Sequence, residues 1–126
     1  MSLLENLINT HGVSGSEEVV RELIENEIKK YVDETYVDKF GNLVAHKKGK
    51  VPRVMLTAHM DEIGLITKSI DKLGRITFSL IGGIDTASLI GQRVAIQAKK
   101  NQIVGVITSD QMTTGETIDR LPKTSE

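Results

Sequence analysis

The chain has 126 residues, 39% hydrophobic and 26% charged, with a formal net charge of −1, which is the profile of an ordinary globular domain and gives no electrostatic drive toward nucleic acid or an acidic membrane. No apolar run approaches the roughly 20 residues of a membrane span, and the start lacks the charged-then-apolar pattern of a secretory leader. Zero cysteines exclude disulfides and thiolate chemistry and fit a cytoplasmic setting, while two Phe, two Tyr and no Trp leave an aliphatic core and no platform for stacking bases.

The first ten residues read as a short helix, with Ser2 and Glu5 as a capping box, Leu3, Leu4, Leu7 and Ile8 on one face, and Gly12 as the stop. After the loop His11-Gly12-Val13-Ser14-Gly15, Ser14 and Glu17 offer a second capping box. Val19, Val20, Leu23, Ile24, Ile28 and Tyr31 then recur at helical spacing to about Val32, an apolar stripe that needs a sheet beneath it. From Thr35 the period turns strand-like: Tyr36–Phe40, the turn Gly41-Asn42, then Leu43–His46. Arg53–Ala58 is a nearly continuous apolar run of the kind buried on both faces of a sheet, and it leads straight into His59-Met60-Asp61-Glu62. Beyond Gly64 nothing reads as helical. Short strands are expected over 65–70, 75–81, 93–98 and 102–108, with turns at 71–74, 82–83 and 99–101, the pattern of a small antiparallel barrel or sandwich. An α/β part thus precedes an all-β part, with the seam near 66–69, and residues 109–126 read as loop or disorder.

One short cluster carries the chemistry. His59 and Asp61 stand at the end of the expected buried strand, where ligands gather in open α/β sheets. A neutral imidazole is a good ligand for zinc, cobalt or manganese, and a carboxylate two residues on could ligate or orient it. Taken alone, His-x-Asp also describes a hydrogen-bonded histidine at a strand end. His11 reads as a loop histidine, His46 as an exposed strand residue, and Gly82-Gly83-Ile84-Asp85 as a tight turn without the spacing or lysine of a phosphate loop.

In order along the chain, Gly12-Val13-Ser14-Gly15-Ser16-Glu17, Asp38-Lys39-Phe40-Gly41-Asn42-Leu43, Leu56-Thr57-Ala58-His59-Met60-Asp61-Glu62-Ile63-Gly64, Ile81-Gly82-Gly83-Ile84-Asp85 and Leu89-Ile90-Gly91-Gln92-Arg93-Val94 resemble the N-terminal portion of metallopeptidase family forty-two. These are the TET-type or glutamyl aminopeptidases, also described as endoglucanases. The resemblance implies an α/β zinc-peptidase domain beginning at residues 1–67, a small antiparallel β-barrel-like dimerisation domain at 68–108, both incomplete, and a tail at 109–126. It implies two divalent metals, zinc or cobalt, with His59 matching the first metal ligand and Asp61 the aspartate that orients it. The bridging aspartate, catalytic glutamate and remaining ligands of the family lie downstream of the β-insert and have no counterpart here. The expected function is therefore that of a dinuclear aminopeptidase acting on peptides. This chain would be inactive alone, and would form a homo-oligomer or pair with a longer homologue. The alternative is a non-catalytic, truncated assembly module pairing through its β-domain.

Overall fold

The computed structural model describes residues 2–109. They form, in chain order, helix α1 (Leu3–Asn9), helix α2 (Glu18–Ile28), strands β1 (Glu34–Val37), β2 (Leu43–His46), β3 (Gly64–Ile70) and β4 (Ile76–Ile81), a 3-10 turn over Thr86–Ser88, and strands β5 (Arg93–Gln97) and β6 (Gln102–Val106). The backbone divides into two compact units, Met1–Gly83 and Ile84–Glu126. The expected tail from residue 110 onward lies outside the described residues.

α1 starts as expected. The Ser2 hydroxyl accepts from the Glu5 amide at 3.2 Å, and the Glu5 carboxylate accepts from the Ser2 amide at 2.6 Å, which satisfies two otherwise orphaned donors. It stops earlier than expected, at Asn9, because Thr10 is extended and its hydroxyl turns back to the Asn6 carbonyl at 2.6 Å. Gly12 serves another purpose than a helix stop: a Cβ there would lie 2.7 Å from Val20 Cγ1, so its missing side chain lets the loop close onto α2. Val20 is the buried residue of that helix.

The expected capping box of α2 is absent. Glu17 is the cap residue without a side-chain cap bond, and the Ser14 hydroxyl is engaged elsewhere. The helix also ends at Ile28 rather than near Val32. It is fastened to the β1–β2 hairpin by Arg21 Nη1 donating to the Gly41 carbonyl at 3.1 Å and Thr35 Oγ1 donating to Glu25 Oε1 at 2.7 Å. That hairpin is antiparallel, in the register Glu34 to His46 through Val37 to Leu43. β1 spans Glu34–Val37 rather than the expected 36–40, and it ends early because the Asp38 carboxylate accepts from the amides of Phe40 and Asn42, both at 2.9 Å, and so closes the loop from inside.

The expected both-faces-buried strand at 53–58 is not a strand. The segment has no ladder partner among the described residues, and Val54, Met55 and Leu56 are 80%, 84% and 91% exposed. An apolar run becomes a central strand only through the neighbours that pair with it, and here no described segment lies alongside. Among the described residues the strands do not close into the expected barrel: β1–β2, β3–β4 and β5–β6 are three two-stranded antiparallel sheets. Each later strand forms where the alternation places it. β3 and β4 pair from Gly64–Ile81 to Ile70–Ile76 with a shift between Thr67 and Ser69. β5 and β6 pair from Arg93–Val106 to Gln97–Gln102, extended by Ile107 donating to the Gln92 carbonyl at 2.9 Å. The unexpected 3-10 turn is nucleated by Asp85, whose carboxylate accepts from the Ala87 amide at 3.0 Å.

Two turns depend on ionised aspartates. The side chain of Asn42 and neighbouring amides hold the Asp38 carboxyl below its ordinary value of 3.8, and the Arg75 side chain and amide do the same for Asp71. Because the folded value is depressed in each case, the stabilisation is complete above the unfolded value and is lost as pH falls through the lowered one. Acidification below about pH 4 should therefore loosen both turns, and Asp71→Asn should flatten that response in β3–β4, read as amide exchange along the two hairpins.

Candidate metal-ligand site

The site is built by a long-range closure within the first unit. Loop 11–15 lies parallel to the segment leading into β3, with Val13 bridged to Glu62. The Glu62 amide donates to the Gly12 carbonyl at 2.8 Å, the Ser14 amide to the Glu62 carbonyl at 3.4 Å, and the Gly12 amide to Glu62 Oε1 at 3.3 Å. The approach is so close that a Cβ on Gly64 would sit 2.4 Å from Val13 Cγ2. This closure brings the first quoted motif beside the third, and it aligns Ser14 with Asp61.

His59 and Asp61 are brought together. His59 Nδ1 lies 3.0 Å from the Asp61 carbonyl and 3.1 Å from Asp61 Oδ1. Both neighbours are acceptors, so Nδ1 carries the proton and the lone pair is left on Nε2, the arrangement that suits a metal ligand. Asp61 Oδ2 accepts from the Ser14 hydroxyl. The Ser14 hydrogen bond, reinforced by the Asp61 amide and by His59, holds the Asp61 carboxyl below its ordinary range, against a smaller opposing effect of partial burial. The imidazole is 86% exposed. The pair lines an open cavity of about 160 Å³ together with Glu17, Phe40, Asn42 and Met60.

His11 and His46 do not line this cavity. His46 pairs instead with Glu34 directly across the hairpin, Nδ1 to Oε1 at 3.2 Å. Sequence reasoning missed Ser14 and Glu17 as site residues, since their spacing from each other matches a capping box. Glu17 instead accepts from the Gly15 amide at 2.6 Å and faces the cavity. Their place in the first motif was the available signal.

The donor chemistry fits one position of a metal site and its support, not a closed site. One imidazole nitrogen is presented, and no group of three His, Cys, Asp or Glu that could hold an ion occurs among the described residues. Catalytic zinc takes three protein ligands as a rule.

The sequence profile of the M42 glutamyl aminopeptidases matches residues 41–125, about two-thirds of the chain. The chain belongs to the M42 aminopeptidase family. A putative aminopeptidase of Acetivibrio thermocellus is 49% identical over 105 residues, covering 83% of this chain and 31% of that protein. Among solved structures, a TET aminopeptidase from a marine-sediment Thaumarchaeota archaeon superimposes with a TM-score of 0.79 at 36% identity, over 86% of this chain and 30% of that one. A TET1 peptidase of Pyrococcus horikoshii, which can assemble into a tetrahedron or a large octahedral shell, matches with a TM-score of 0.76 at 38% identity, over 85% of this chain and 32% of that one. The chain thus spans about a third of the length of its M42 relatives. No helix among the described residues is long and apolar enough to cross a membrane.

Proposed function

We propose that this chain supplies one ligand and its support to a metal-dependent aminopeptidase site that takes its remaining ligands from beyond these residues. The observation that carries this reading is the His59–Asp61 pair, with Nδ1 held by two acceptors and Nε2 left as the ligand atom. Zinc or cobalt bound there would polarise a peptide carbonyl and lower the pKa of water. Within the chain, His59 offers the nitrogen, Asp61 fixes the ring and its tautomer, and the carboxylates of Asp61 and Glu17 make the cavity attractive to a cation.

On this reading residues 1–67 begin the catalytic α/β domain and residues 68–108 belong to an inserted β-domain, in a cytoplasmic enzyme that works on peptides as a homo-oligomer. Three two-stranded sheets and a long exposed apolar segment favour pairing with a second chain, because a lone two-stranded sheet is marginal in water. The same observation supports an assembly module without catalysis as the second reading.

The two are separated by assaying release of the N-terminal residue from amino-acyl nitroanilides by the purified chain, with zinc or cobalt, alone and mixed with a full-length M42 enzyme. No turnover by the chain alone is expected. Turnover by the chain alone that disappears in His59→Ala would overturn the claim that further ligands must come from elsewhere. Metal-independent co-assembly of His59→Ala with the full-length enzyme would favour the assembly reading.

A further inference from the structure

The His59–Asp61 pair is too exposed to hold itself. Water competes for both groups at such a surface, and an exposed ion pair or hydrogen bond of this kind fixes geometry weakly. A third group is in contact with it. Ser14 reaches Asp61 from 47 residues away, and its hydroxyl takes Oδ2 while Oδ1 faces His59 Nδ1. Ser14 is itself held by the backbone closure of loop 11–15 onto Glu62, so its hydroxyl comes from a fixed point and not from a free loop.

We propose that Ser14 is a positioning residue: by fixing the Asp61 carboxylate between its hydroxyl and His59 Nδ1, it adds a second acceptor to the Asp61 backbone carbonyl already at Nδ1, strengthens the hold on the Nδ1 proton and so presents Nε2 as the free lone pair. The purpose of this arrangement rests on the metal-ligand reading of His59, but the hydrogen-bond chain itself exists without any metal. Its bland competitor is that the Ser14 hydroxyl only staples the loop to the segment before β3. The two differ in consequence. The backbone bonds Ser14 N to Glu62 O and Glu62 N to Gly12 O would still close the loop without the hydroxyl, whereas the orientation of Asp61 would not survive.

The test is the tautomer of His59, read from ring nitrogen chemical shifts of the labelled, metal-free chain at a fixed pH above imidazole titration. In the unaltered chain the Nδ1–H form should dominate at His59. Ser14→Ala should move the ratio about two- to tenfold toward Nε2–H, the change one hydrogen bond brings about, with the Val13 and Glu62 amide signals in place. Ser14→Thr, which keeps the hydroxyl, should restore it, and Asp61→Asn should shift it as Ser14→Ala does. An unchanged ratio in folded Ser14→Ala would overturn the proposal. So would a ratio that moves only together with the loop amides and is not restored by threonine. Because no metal enters the measurement, failure of His59 as a ligand would leave this result intact and would show instead in metal titrations.

Discussion

Gly64→Ala should destabilise the first unit by about 1–3 kcal/mol, the usual cost of forcing an extra carbon into a closed contact. The Cβ would meet Val13 Cγ2 at 2.4 Å, Cγ1 at 2.8 Å and Cβ at 3.2 Å, so rotating the valine does not clear it. The loop must lift instead, and with it go the Val13–Glu62 bridge and the seat of Ser14. Gly49→Ala is the control. Nothing lies within 4 Å of its Cβ, and a compatible Gly→Ala change is neutral or stabilising by up to about 1 kcal/mol. Denaturant unfolding of the two variants side by side should give midpoints on opposite sides of the unaltered chain, or the alanine at 64 alone displaced. Equal midpoints would mean that the loop closure contributes no stability.

On the proposed reading, cobalt held at the cavity should be lost in His59→Ala and weakened by about 10–100-fold in Asp61→Ala, the range seen when a histidine ligand loses its carboxylate support. Competition against a chromophoric chelator measures both. Asp61→Ala acts without removing a donor nitrogen: it leaves Nδ1 with the backbone carbonyl of residue 61 as its remaining acceptor, so the ring is held less firmly and the Nε2–H form that blocks the ligand atom gains population. Equal affinity in Asp61→Ala and the unaltered chain would show that the carboxylate does not orient the imidazole.

Local pattern carried much of this fold. The capping box at Ser2 and Glu5, the β1–β2 hairpin and the four later strands are set by neighbours within a few residues; β2 to β6 lie where alternation and turn residues put them, while β1 runs over 34–37 and not 36–40. What failed was what distant residues decide. Ser14 and Glu17 have the spacing of a helix cap, yet a carboxylate 47 residues on competes successfully for the serine hydroxyl. Arg53–Ala58 has the composition of a buried strand, yet composition cannot supply the partners that make it one. Gly12 reads as a helix stop and Gly64 only as the end of a motif, although each marks a point where loop 11–15 is pressed against another segment. Of the candidate site, His59 and Asp61 were legible as a pair because they are two residues apart. Ser14 was not, because it joins them only through tertiary closure.

On the proposed reading, His59 and not His11 or His46 is the metal-binding histidine of this chain. His46 is the demanding comparison, since it too has a carboxylate at Nδ1 but lacks the acidic cavity lined by Glu17 and Asp61. The most direct measurement is a substoichiometric cobalt titration of the labelled chain, following paramagnetic broadening of the three histidine ring signals. The His59 signal should broaden first, with His11 and His46 following only at higher cobalt. Broadening of His46 or His11 before His59, or of all three together, would contradict it.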